Sequence, residues 1–142
     1  MESLVDVIKE FFRDLKKALS ESENYIGKEV IDADATRKGV VVDLIKHMLN
    51  TKVSLLGVRY KPEEEEVIST FDEDVIAIQS GGERYFVSMS DISAVGSVIL
   101  LKKAIDAPEV TESKKLVQKV LDRYDKIRKT LESFEKIGKK LQ

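Results

Sequence analysis

His47 is the only histidine in the 142 residues, and there is no cysteine. A His–His metal pair and any thiolate ligand set are therefore out of reach within one chain, and a Ser–His–Asp triad would have to use this one imidazole. His47 follows Leu44-Ile45-Lys46 at an expected strand end, and no G-x-S-x-G elbow accompanies it, so it reads as a surface or loop histidine. Asp32-Ala33-Asp34-Ala35-Thr36 opens like a calcium loop. Arg37 stands where that loop needs its sixth-position glycine, however, and the twelfth position is Asp43 inside an apolar run, so a hairpin turn is the expectation. Glu63-Glu64-Glu65-Glu66 could gather a hard cation or a basic partner, but four like charges in a row read as a solvated loop. The seven glycines are scattered, and Gly81-Gly82 is followed by neither Lys-Ser/Thr nor a helical pattern, which gives nucleotide phosphates no loop. Arg59-Tyr60 and Arg84-Tyr85-Phe86 set cations beside aromatics, short of the basic strip that nucleic acid needs. Paired carboxylates for acid–base work stay open, because no spacing selects a pair. No catalytic residue, cofactor or metal ligand is assigned on these grounds, and a non-enzymatic chain is the expectation.

Three segments would have to position these residues. Over residues 1–20, Leu4, Val5, Ile8, Phe11, Phe12, Leu15 and Leu19 recur at three- and four-residue steps, the spacing of one helical face, with Ser3 as the cap. Leu4, Ile8, Phe11, Phe12 and Leu15 are its expected packing residues, and Ser20 to Asn24 reads as a break. Over residues 25–103 the pattern changes to short β-branched and aromatic runs at Lys38–Lys46, Val53–Tyr60, Val75–Gln79, Arg84–Val87 and Val98–Leu101. Gly81-Gly82 suits a two-residue hairpin, Lys61-Pro62 opens a turn, and Ser90 caps a helical turn running to Ala94. Six or so short strands with no long helix between them predict a mainly β small barrel flanked by an N- and a C-terminal helix, α+β overall.

Over residues 108–142 the helical period returns as a heptad seam: Val117, Val120, Tyr124, Ile127, Leu131, Phe134 and Leu141, interrupted by Gly138. A helix of that length outreaches a small barrel. The seam is therefore expected to be a self-association surface making a homodimer, with folding back onto the N-terminal helix as the competing arrangement.

The strand region resembles a PRC-barrel, the small barrel named after a cytoplasmic subunit of photosynthetic reaction centres. The resemblance is carried by Tyr25-Ile26-Gly27-Lys28-Glu29-Val30-Ile31-Asp32, by Gly39-Val40-Val41-Val42-Asp43-Leu44, and by the run from Val87-Ser88-Met89-Ser90-Asp91-Ile92 to Val98-Ile99-Leu100-Leu101. It covers a little over half the chain. It departs from such barrels at Ala35-Thr36, where a glycine turn is common, and at the long acidic stretch from Lys61 to Asp74. The family carries over no catalytic residues. It implies interaction roles, and among its kinds the archaeal cell-division adaptors resemble this layout best.

A protein-interaction adaptor or scaffold is therefore the leading expectation, with the barrel on a protein partner and the helices self-associating. RNA or ribosome association, and peripheral membrane docking through the N-terminal helix, are the alternatives. The 24 basic and 26 acidic residues nearly cancel, so no global field draws the chain to nucleic acid or acidic lipid. No apolar run approaches the ~20 residues that span a bilayer, and the absence of cysteine suits a reducing compartment, so a cytoplasmic location is expected.

Overall fold

The structure, a computed structural model, describes residues 3–111 and 113–140. Helix α1 spans Leu4–Ser22, with the Ser3 hydroxyl accepting from the Asp6 N–H at 3.2 Å as its cap. It runs past the expected break at Ser20, because Ser22 turns its hydroxyl back onto the Leu19 carbonyl and is itself buried. The chain then folds into β1 (Glu29–Ile31), β2 (Arg37–Met48), β3 (Thr51–Ser54), α2 (Pro62–Ser69), β4 (Val75–Ser80), β5 (Glu83–Ser88), β6 (Ile92–Val95), β7 (Ile99–Leu101) and α3 (Lys114–Lys140).

The seven strands form one mixed sheet in the order β5-β4-β2-β1-β7-β6, with β3 paired to the far half of β2. All pairings are antiparallel except β1 with β7. Strand β2 is the centre: it pairs with β4 along one edge and with β1, then β3, along the other. The β2–β4 register slips between Val41 and Asp43, so Val42 bulges. Because of that slip Val41 and Leu44 face the same side, with Val30, Ile76, Ile78, Val87, Ile99 and Leu101. The opposite face packs Ile45, Val75 and Ala77 under Ile68 of α2. Ala18 and Leu19 of α1 and Val120, Tyr124 and Leu131 of α3 belong to the first cluster, so one core runs through all three segments of the chain.

The α+β class matches the sequence expectation, but the sheet does not close into the expected barrel. No ladder joins β5 to β6 among the described residues. β6 is four residues long and largely exposed, so little apolar surface draws it across, and a cleft of about 570 Å3 lines the free edge of β5 opposite Lys103–Asp106.

Three local expectations are corrected. The acidic run is not a loop: Glu63-Glu64-Glu65-Glu66 opens α2, with Pro62 in its first turn and the Glu64 carboxylate accepting from the Lys61 N–H at 2.9 Å. The helical turn placed at Ser90–Ala94 is a 3-10 turn at Met89–Asp91, followed by β6. The strand placed at Val53–Tyr60 stops at Ser54, since the chain turns at Gly57, where φ is +66°.

Candidate functional site

Two arrangements stand out: a pair of helices with an uncovered apolar end, and a carboxylate sealed inside the sheet. The helix pair is antiparallel. The Tyr124 hydroxyl donates to the Leu19 carbonyl at 2.8 Å, and towards the other end Phe12 stacks on Phe134 with ring centroids 6.2 Å apart. Lys16 and Glu135 form an ion pair at 3.3 Å between the two helices. Val120, Tyr124 and Leu131 are buried inside the chain, and Phe12, Leu15 and Ile127 pack against the same core. Val117 is half-buried, and Leu141 lies outside the described residues. Most of the heptad seam is thus covered by α1 and the sheet of its own chain, which is the folded-back arrangement. Long range is what hides this from sequence: Leu19 and Tyr124 are 105 residues apart.

The apolar stripes do not end where the sheet body ends. The cap Ser3 and residues 4–11 of α1 are all exposed, with Leu4 at 76% and Phe11 at 57% exposure, and Phe134 and Ile137 of α3 are exposed at 53% and 54%. Leu4, Ile8 and Phe11 continue the face that buries Leu15 and Leu19, so one amphipathic face is half used within the chain and half open. Of the expected packing residues, Phe12 and Leu15 pack, while Leu4, Ile8 and Phe11 stay on the open part.

The sealed carboxylate is Asp43, fully buried on the α2 side of β2. Its Oδ2 accepts from the Ser54 and Tyr60 hydroxyls, each at 2.6 Å, and its Oδ1 accepts from the Leu56 N–H at 3.1 Å. The Ser54 oxygen in turn accepts from the Val58 N–H at 2.9 Å. Burial raises the Asp43 carboxyl above the ordinary carboxylate range, and the hydroxyl and backbone donors only partly offset that. Burial and the neighbouring Asp43 push the Tyr60 phenol far up, so it remains a donor. Its ring meets Phe86 edge-on at 5.6 Å and lies under the Arg84 guanidinium, 5.1 Å from the centroid. Glu64 and the Arg59 carbonyl hold Arg84 in place. Ser54 and Tyr60 face a groove of about 950 Å3 between β3 and α2, yet both hydroxyls are turned inward onto Asp43. The set is a clamp that ties the segment between β3 and α2 to the central strand. An aspartate inside Val40-Val41-Val42-Asp43-Leu44-Ile45 is the sequence signal that could have flagged it.

The other candidates have local roles. His47 is exposed on β2, with Nδ1 2.9 Å from the Lys52 ammonium. Asp32 is buried in its turn and accepts from the Asp34, Thr36 and Ile105 N–H groups, with Lys38 at 3.7 Å. Burial alone would raise its carboxyl, but these donors and Lys38 outweigh it and hold the group below its ordinary value. Among the described residues no cluster of three His, Asp or Glu side chains could hold a metal, and no helix is long and apolar enough to cross a membrane.

Comparisons of the chain with protein-family models, with curated proteins and with solved structures returned no match.

The Tyr124 hydroxyl offers a mild test of the helix pairing. Tyr124→Phe should keep the packing and lose one buried hydrogen bond, lowering stability by about 1 kcal/mol. Urea unfolding followed by circular dichroism reads it, and an unchanged midpoint would mean that Leu19 and Tyr124 are not held together in solution.

Proposed function

We propose that the chain is a non-enzymatic protein-interaction adaptor, in which the sheet body engages a protein partner and α1 with α3 carry self-association. The observation that carries this reading is the open half of the amphipathic stripe. Leu4, Val5, Ile8, Phe11, Phe134 and Ile137 are large, apolar and exposed together at one end of a helix pair whose other end is packed. Contiguous apolar surface of that kind is an interaction site or a liability in water. The inward-turned hydroxyls of Ser54 and Tyr60 support the non-enzymatic half, because neither presents a free nucleophile or acid to the groove.

The resemblance to PRC-barrels, and with it an adaptor role of the archaeal cell-division kind, belongs to the same proposal. Its support is that the segments of the first and last motifs lie side by side in the sheet, β1 pairing with β7 and β7 with β6.

Light scattering of the native protein from micromolar to millimolar concentration tests the self-association. A mass rising to that of a dimer is expected. A mass that stays at one chain throughout removes the helices from the adaptor reading.

A further inference from the structure

We infer that the cleft at the free edge of β5 is the seat of an extended peptide from a protein partner, which adds a strand to the sheet between β5 and the segment that follows β7. This rests on the adaptor reading and gives its sheet-body half a site and a partner chemistry. The backbone carries the argument. Ser80 and Glu83 close the hairpin, and beyond the far end of β5 the Met89 N–H donates to the Asp74 carbonyl at 3.0 Å, so Glu83, Tyr85 and Val87 are the residues of β5 that bond to β4. Arg84 and Phe86 alternate with them and turn their N–H and C=O groups to the open edge, where none of these groups has a partner among the described residues. The opposite wall has the same character. The Lys103 carbonyl accepts from the Ala33 N–H, and the Ile105 N–H donates to the Asp32 carboxylate, while Ala104 between them pairs neither its N–H nor its C=O among the described residues. Arg84, Phe86 and Ala104 all line one cleft of about 570 Å3. A slot with unpaired main-chain groups on both walls fits an extended backbone, because a helix has already used its own N–H and C=O groups and a lone ion cannot pair with donors and acceptors in rows.

The side chains narrow the sequence of that peptide. Val67, Tyr85, Phe86 and Ile105 give the cleft apolar walls, so the peptide residues that alternate onto them are apolar. The charges left unpaired are acidic. Arg84 is paired with Glu64 at 3.5 Å and Lys103 with Asp91 at 3.1 Å, whereas Glu63 and Asp106 are in no ion pair among the described residues. A Lys or Arg on the peptide supplies the missing partner. The strand itself is open to pairing, since β5 runs for six residues with no proline and no bulge to blunt its edge. A second copy's β5 fits less well, because it would bring its own Glu63 and Asp106 to the same junction and set acid against acid.

A library of random decapeptides displayed on phage, selected against the full chain, is the probe, and the enriched peptides are synthesised for fluorescence polarisation and amide hydrogen exchange. The expected result is a set of sequences with alternating apolar residues and at least one Lys or Arg, whose binding slows exchange at the Arg84 and Phe86 amides. Ala104→Pro removes one unpaired N–H and no native hydrogen bond, and should weaken binding by about tenfold. Glu63→Lys with Asp106→Lys changes two exposed side chains and should weaken it by a similar factor, more so at low salt. Should Ala104→Pro fail to fold by circular dichroism, the charge pair decides alone. Peptides that bind but leave the Arg84 and Phe86 amides unprotected overturn the inference, while a protein partner elsewhere on the sheet body stands. Peptides that protect this edge with an affinity that no folded variant changes show that the far wall and the acidic rim take no part, which overturns the two-walled seat. A library that yields no binder overturns both the inference and the sheet-body half of the adaptor reading. If exchange at Arg84 and Phe86 slows with protein concentration alone, the occupant of the edge is a second copy instead, and the inference is wrong.

Discussion

Gly39→Ala should cost the fold about 4 kcal/mol, a large share of the ~5–15 kcal/mol that holds a domain of this kind together. Gly39 sits in β2 at φ +153°, a conformation that side chains rarely adopt, and a Cβ built there would lie 2.2 Å from the Gln79 carbonyl oxygen and 3.0 Å from its carbonyl carbon. Those atoms belong to the backbone of β4, so no rotamer change relieves the clash. The central β2–β4 ladder must open or bend. Backbone strain of this kind costs ~1–3 kcal/mol and forced overpacking another ~1–3 kcal/mol. The melting temperature should fall by about 10–20 °C. Gly82→Ala is the control, because its Cβ meets nothing within 4 Å and its backbone is not in the left-handed region. A Gly39→Ala protein melting within a few degrees of the native one would mean that β2 and β4 do not approach this closely.

The second large effect is expected at Asp43. Asp43→Ala leaves the Ser54 and Tyr60 hydroxyls and the Leu56 N–H without their shared acceptor inside the sheet, which should cost about 3–5 kcal/mol. Asp43→Asn is milder, because its carbonyl keeps one acceptor and its amide can donate to a reoriented hydroxyl. Neither replacement titrates, so both differ from the native protein in the same way with pH. The folded carboxyl of Asp43 titrates above its unfolded value, so between those two values the folded state holds the extra proton. Its contribution to stability is then best below the unfolded value and is lost as pH rises through the folded one. Asn has no such dependence, so the stability of Asp43→Asn relative to the native protein should climb from acid to neutral pH.

Asp32 runs the other way. Its folded carboxyl is held below the ordinary value, so its stabilisation is present at neutral pH and is lost as pH falls through the folded value. Asp32→Asn and the native protein should therefore converge in acid. Chemical denaturation of the three proteins at several pH values measures both slopes. Parallel curves for Asp43→Asn and the native protein would show that Asp43 titrates alike in the folded and unfolded chain.

Legibility followed the reach of the signal. The hairpin at Gly81-Gly82, the turn after Asp32, the Ser3 cap and the two long helices were readable because each is set by residues within a few positions of one another. Helix α2 was missed because Pro62–Ser69 holds only Val67 and Ile68 as apolar residues, too few to show a period. Its start signal, Pro62 with Glu64 reaching back to Lys61, was present but outweighed by the run of like charge. The Asp43 clamp was missed as a unit because its acceptor and its donors lie 11 to 17 residues apart, across a strand and a turn.

By itself the sequence determined that α1 and α3 would be amphipathic and that a short-stranded β region would lie between them. Periodicity is a property of neighbours along the chain, and the 3.6-residue step fixes which side chains share a face. Only the tertiary structure decided what each face meets. Tyr124 and Leu131 are covered by α1 and the sheet, Phe11 and Ile137 are covered by nothing among the described residues, and the sheet stays open between β5 and β6. Those outcomes are competitions between surfaces about a hundred residues apart, settled by how much apolar area the whole core can bury at once, and no local pattern contains that sum.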